Sequence, residues 1–107
     1  MSEPKTQYLE SHHQAKILRW IEKQPNTYVF KVLKANKAGV LDIVGCYYGL
    51  FFTIEVKRIG ETPDPLQVYN IKQVHKANGY AFVCFYLEDA QRAFEVMEYE
   101  RNQRPTK

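Results

Sequence analysis

Three residues carry the chemistry that this sequence offers: Asp42, Glu55 and Lys57. They interrupt a stretch from Gly39 to Lys57 that otherwise reads as two apolar runs, rich in β-branched and aromatic residues, joined at Tyr48-Gly49. That junction is a hairpin signal, although Tyr fits poorly to the positive φ of a two-residue turn. With such a turn Tyr47 faces Leu50, paired residue numbers sum to about 97, and Asp42 falls opposite Glu55. Lys57, two residues beyond Glu55, points the same way, while Leu41, Ile43, Tyr47, Phe52, Ile54 and Val56 fill the other face. A bulge at the turn would slip the register and separate the set.

Two carboxylates about 5 Å apart on a half-buried sheet repel one another and raise each other's pKa unless a cation joins them. Their juxtaposition therefore argues for a hard divalent metal, with Mg²⁺ or Mn²⁺ the best fit. The plainer alternative makes Asp42 the exposed tip of a strand and Glu55 with Lys57 an ordinary surface pair, since exposed sheet faces commonly carry charge.

The flanking segments must position this set. The first helix lies within Ser2 to Gln24, draws its apolar positions from Leu9, Ile17, Leu18, Trp20 and Ile21, and is ended by Pro25-Asn26. Glu10, Gln14, Ile17 and Ile21 share one stripe, so a carboxylate and an amide project from the end of a stripe whose remainder is core. A solvated first turn, with Glu10 favouring the helix dipole, is the competing reading. His12 and His13, being adjacent, point to different sides of the helix, which argues against a joint metal role. Thr27 to Leu33 is the first strand, and it leads into the basic loop Lys34 to Gly39. Lys31, Lys34 and Lys37 are candidates to grip phosphates, against the commoner fate of loop lysines, which is solvation.

After Lys57 comes a turn, then a helix start with Asp64 as N-cap and Pro65 at the first helical position. This helix runs to about Ala77 and stops at Asn78-Gly79. Gln67, Ile71 and Val74 share a stripe, which brings Gln67 out near the end of the Lys57 strand. Tyr80 to Tyr86 is continuously apolar and predicts a buried strand, not an edge. Leu87 to about Tyr99 carries Ala90, Ala93, Phe94 and Met97 at helical spacing, a stripe for core or subunit contact. The order is α-β-β-β-α-β-α.

Length and composition set the frame. A chain of 107 residues has room for one core, and 45% hydrophobic content argues against disorder. The net charge of +3 is compatible with a polyanionic partner without demanding one. Cys46 and Cys84 are too few and too far apart for a zinc site or disulfide framework, so both read as small buried hydrophobes. With no signal peptide, lipidation motif or long apolar run, a soluble, intracellular protein without a membrane partner is expected.

Three motifs carry a family resemblance: Gly39-Val40-Leu41-Asp42-Ile43-Val44-Gly45, then Ile54-Glu55-Val56-Lys57-Arg58, then Thr62-Pro63-Asp64-Pro65-Leu66-Gln67. In this order they resemble the motifs of the VRR-NUC family, the viral replication and repair nucleases of the PD-(D/E)xK superfamily. The resemblance spans roughly residues 8 to 86. It implies an α/β, restriction-endonuclease-like core of order α-β-β-β-α-β with a mixed central sheet flanked by helices, within a single domain over 1–107. A C-terminal helix over about 87–101 is added to it. It also implies a metal-dependent phosphodiesterase acting on DNA.

Residue by residue, the resemblance makes Asp42 and Glu55 metal ligands with the Val56 carbonyl, and Lys57 the group that polarises the attacking water. Glu10 matches the family's first-helix glutamate, with Gln14 as the substitute, and Gln67 matches a positioning glutamine. Lys31, Lys34, Lys37 and Arg58 are the nucleic-acid candidates. Leu41 stands where the family normally has proline, a departure that touches strand geometry and not the acids. Phosphodiester hydrolysis needs an activated water, a charge clamp and help for the leaving alkoxide, which carboxylate-held metal can supply.

No helix-turn-helix or zinc-finger pattern is present, so sequence-specific cleavage is not expected. The resemblance suggests a homodimer acting on a Holliday junction or other branched DNA in the cytoplasm of a bacterium or phage-infected cell. The Tyr47-Tyr48 tip, Phe51, the Tyr80 strand and the last helix are the candidate dimer surfaces. The rival functions are a non-catalytic DNA-binding module that keeps the fold, and an interaction or metal-sensing module. Lys57→Ala is expected to remove most activity and leave the fold intact, because Lys57 is read as solvent-facing.

Overall fold

The computed structural model describes residues 2–104, with side chains from residue 11 onward. The chain forms α1 (Ser2–Glu22), β1 (Thr27–Lys31), β2 (Ile43–Tyr47), β3 (Leu50–Val56), α2 (Pro65–Lys76), β4 (Tyr80–Cys84) and α3 (Leu87–Gln103). One mixed sheet of order β1-β2-β3-β4 results, antiparallel through β3 and parallel between β3 and β4.

The β2–β3 register is the expected one, with Tyr47 opposite Leu50 and Ile43 opposite Ile54. Tyr48 (φ 50°) and Gly49 (φ 82°) both take positive φ, as the tightest hairpin turn requires. The tyrosine is held in that conformation from two sides. The Arg101 guanidinium lies 3.9 Å from its ring centre, and the Tyr47 ring packs edge-on at 4.9 Å. Tyr47 in turn donates its hydroxyl to Glu98 Oε1 at 2.6 Å, and Arg101 Nη2 donates to Glu98 Oε2 at 3.0 Å. The hairpin tip and α3, both candidate dimer surfaces in the sequence, thus engage each other.

One face of the sheet is the hydrophobic core. Ile43, Phe52, Ile54 and Val56 meet Ile17 and Ile21 of α1 and Phe94 and Met97 of α3, all buried. Ala90 and Ala93 are buried on the same stripe of α3, as the helical spacing predicts. Gly45 makes this packing possible, because a Cβ there would stand 2.5 Å from the Phe52 ring and 2.7 Å from the Tyr28 carbonyl oxygen. Cys84 is fully buried, and burial pushes its thiol up to about 12.

The other face carries α2, which packs against β4. No residue of α2 is fully buried. The expectation that Tyr80–Cys84 is an internal strand is corrected here, since among the described residues β4 pairs only with β3 and forms an edge of the sheet. Its unbroken apolar sequence reflects cover by helices on both faces, α2 on one and α3 on the other. Among the described residues, no helix is long and apolar enough to cross a membrane.

Candidate active site

Asp42 lies one residue before β2, at the end of the sheet opposite the hairpin turn. Its carbonyl accepts the Val32 N–H at 2.8 Å, which keeps it tied to the β1 side. Its carboxylate reaches across, where Oδ2 accepts the Val56 N–H at 3.1 Å. Asp42 therefore sits against the Glu55–Val56 segment just past the last paired rung, Ile43 and Ile54.

Glu55 is 3% exposed, which is exceptional for a carboxylate. Its Oε2 accepts from Gln67 Nε2 at 2.7 Å and faces Lys57 Nζ at 3.3 Å. Its Oε1 is buried and, among the described residues, has no hydrogen-bond partner. Burial is the largest cause of a raised Glu55 pKa and the Asp42 charge the second, while Lys57 and Gln67 oppose both. A buried carboxylate with one oxygen unsatisfied and a second acid beside it is costly unless a cation completes it. These groups fit a hard divalent metal, which takes oxygen ligands and offsets the like-charge repulsion. Among the described residues no group of three His, Cys, Asp or Glu side chains is placed to hold a metal ion. The described acids at the site are Asp42 and Glu55; Glu10 lies outside the described side chains, and Gln14 is half-buried one turn before Ile17.

Gln67 is fixed by the start of α2. Asp64 Oδ1 accepts the Gln67 N–H at 3.0 Å, and Gln67 Oε1 accepts the Asp64 N–H at 3.0 Å, a reciprocal capping box. The Nε2 is then aimed at Glu55. An amide is required here, because one end must accept from the cap while the other donates to the carboxylate. The positive end of α2 also adjoins the site, where it favours anionic groups.

Lys57 differs from its sequence reading. It was expected to face solvent, but its side chain is 18% exposed and lies against Glu55. Its N–H donates to the Cys84 carbonyl at 3.0 Å, so the backbone remains bound to β4 beyond the end of β3. Arg58 is exposed and paired with Glu61 at 2.9 Å.

The three lysines separate. Lys31 pairs with Ile43 and so projects from the face opposite Asp42 and Glu55. Lys34 and Lys37 are exposed in the loop between β1 and β2. That loop is anchored to α2, where Asn70 Nδ2 donates to the Ala38 carbonyl at 3.1 Å. Gly39 (φ +81°) comes so close that a Cβ would stand 2.6 Å from Leu66 Cβ. Lys37 lines a groove of about 450 Å³ with Phe51, Asn70, Gln73 and Arg104. The larger hollow, about 650 Å³ between α1 and α3, is lined by neither site acid.

Comparison with protein-family models and with curated proteins gives no match. Among solved structures, one described as a VRR_NUC domain matches with a TM-score of 0.69 at 22% identity, over 80% of this chain and 94% of that one. This chain has the fold of a VRR_NUC domain.

One residue that shapes the site was missed in the sequence, and a second, His13, was weighed there only as a poor partner for His12 in metal binding. Asn70 holds the basic loop against α2, and its partner lies 32 residues away, so no local pattern reveals it. His13 lines a hollow of about 170 Å³ with Val56, Lys57, Arg58 and Tyr86, beside the site. The helical stripe of Ile17 and Ile21 points to it only once α1 is docked on the sheet.

Proposed function

We propose that this chain is a metal-dependent deoxyribonuclease of the VRR-NUC kind, hydrolysing phosphodiester bonds in branched DNA such as a Holliday junction, and acting as a homodimer. The observation that carries the reading is the unsatisfied, buried Oε1 of Glu55 beside Asp42, with Lys57 at 3.3 Å from the other oxygen. The VRR_NUC fold and the three motifs in their order support it.

Asp42, Glu55 and the backbone carbonyl of Val56 would hold Mg²⁺ or Mn²⁺, and Glu10 on α1 would assist. When bound, the metal supplies Lewis-acid charge at the scissile phosphate. Lys57 donates to the attacking water or to a phosphoryl oxygen, adding positive charge where negative charge develops without occupying a ligand position. Gln67 keeps the Glu55 carboxylate in one orientation. Lys34, Lys37 and Arg58 hold flanking phosphates, and Lys31 serves DNA only where the duplex wraps past the sheet edge.

The test is cleavage of a labelled four-way junction beside a matched linear duplex, with Mg²⁺, with Mn²⁺ and with chelator. Cutting of the junction that is lost on chelation and in Glu55→Gln is the expected result. Binding without cutting in either metal would replace the nuclease with a DNA-binding module, and equal cutting of both substrates would remove the selectivity for branches.

A further inference from the structure

The groove of about 450 Å³ beside the hairpin combines an aromatic ring, side-chain amides and two cations. Phe51 lines it from β3, Asn70, Gln73 and Val74 line it from α2, and Lys37 and Arg104 enter from the β1–β2 loop and the C-cap of α3. No acid is among the described residues that line it. Phe51 alternates on β3 to the same face as Thr53 and Glu55, and four residues of strand set it about 13 Å from Glu55. Its ring is 46% exposed yet seated, because Gly79 comes so close that a Cβ there would stand 2.9 Å from Phe51 Cδ2 and 3.0 Å from Val74 Cγ1. The polar groups are seated as well. Arg104 Nη2 donates to the Tyr80 hydroxyl at 3.1 Å. Asn70 Nδ2 donates to the Ala38 and Leu66 carbonyls at 3.1 and 2.8 Å, so the group that Asn70 can offer a ligand is its oxygen.

We propose that this groove binds one unpaired nucleotide of the DNA, its base stacked on Phe51 and its neighbouring phosphates met by Lys37 and Arg104. Three observations select that occupant. The volume lies within the roughly 300–1,000 Å³ of small-ligand sites, enough for a single base and its sugar and too little for a duplex. An exposed ring between cations is the arrangement that takes single strands, since every base has a face to stack and every link a phosphate to neutralise. The Asn70 oxygen and the Gln73 amide supply an acceptor and a donor–acceptor pair for a base edge, which a base inside a duplex has already committed to its partner. The inference rests on the nuclease reading and deepens it, by naming what in a branched substrate the chain holds: an unpaired nucleotide about 13 Å from the phosphate at Glu55.

The test is equilibrium binding of the full chain in chelator, where nothing is cut, read by fluorescence anisotropy. The probes are a labelled duplex with a bulge of unpaired thymidines and the matched continuous duplex. Wild type is expected to prefer the bulged probe by roughly tenfold, the scale of one base stacked on an aromatic ring. Phe51→Ala should abolish most of that preference and Phe51→Trp should keep it. Phe51→Leu, which retains apolar bulk without a π face, repeats the test should Phe51→Ala fail to fold. Replacing the bulged thymidines by abasic links should cost wild type the same preference and cost Phe51→Ala nothing further. Equal binding of the two probes by wild type overturns the proposal, as does a preference that survives in both Phe51→Ala and Phe51→Leu. Thymidine monophosphate that binds as tightly as the bulged probe would also overturn it and assign the groove to free nucleotides. A Phe51-dependent preference in a chain that cuts no DNA with Mg²⁺ or Mn²⁺ would leave the groove standing and remove only the nuclease.

Discussion

The two faces of the one sheet differ in what they bury. Toward α1 and α3, strand β3 buries Phe52, Ile54 and Val56, all 0–2% exposed. Toward α2 the alternate residues are Thr53 and Glu55, both 3% exposed and both polar. Thr53 is satisfied, its hydroxyl donating to the Ile43 carbonyl at 2.9 Å. Glu55 is only partly satisfied. One face thus supplies stability through apolar burial, while the other holds a charge whose solvation is incomplete. Helix α2 is correspondingly a shallow cover: it aims Gln67 at Glu55 and contributes no fully buried residue of its own.

The largest test of this contrast is a pair of neighbours. Phe52→Ala should destabilise the fold by about 3–5 kcal/mol in denaturant unfolding, through lost burial and a cavity. Phe51→Ala, one residue away on the open face, should cost less than about 1 kcal/mol. Equal losses would mean that the two faces are not distinct.

Next comes the charge set. Lys57→Met should lower junction cleavage by about 10²–10³-fold, the scale of losing one charge-stabilising donor. Because Lys57 is packed against Glu55, this variant is also expected to be less stable, and Lys57→Met with Glu55→Gln should recover the loss in thermal melting. A variant that melts like wild type would show that the pair is uncoupled.

A smaller effect of opposite sign follows from Glu55. Its raised pKa means that the folded state holds the proton more tightly than the unfolded chain, so chelated wild type loses stability as pH rises above about 4.5. Glu55→Gln should therefore be more stable than wild type at neutral pH in chelator, by about 1 kcal/mol or more, since it removes a buried carboxylate charge with one oxygen unsatisfied among the described residues. Added Mg²⁺ should raise the melting temperature of wild type and not of the variant. A less stable variant would show that Glu55 is already satisfied without a metal.

The smallest effect belongs to the hairpin tip. Burial, followed by the hydrogen bond to Glu98, pushes the Tyr47 hydroxyl up to about 12 from 10.0. The native state then holds this proton longer than the unfolded chain, and stability present below pH 10 is lost as pH rises toward 12. Tyr47→Phe should flatten that part of the stability–pH curve; an unchanged curve would mean that the hydroxyl is not held.

Local pattern was enough for much of this molecule. The β2–β3 register, the Asp64–Pro65 start of α2 and the buried stripe of α3 follow from turn chemistry, capping and periodicity, each acting over a few residues. The same register put Asp42 against the Glu55 segment and Lys57 beside it. Sequence failed where the answer depended on neighbours far along the chain. The apolar run of β4 could not distinguish an internal strand from an edge covered on both faces by helices. Lys57 read as exposed because nothing local shows that Glu55 is buried.

The sequence by itself determined which residues alternate to which face of the hairpin, since a two-residue turn and a period of two leave no freedom. Only the tertiary structure decided how deeply each face is covered. Burial depends on where α1, α2 and α3 dock, and that docking leaves one Glu55 oxygen without a partner among the described residues and Tyr28 and Phe30 open. Contacts between segments dozens of residues apart are selected by packing, which no local pattern encodes.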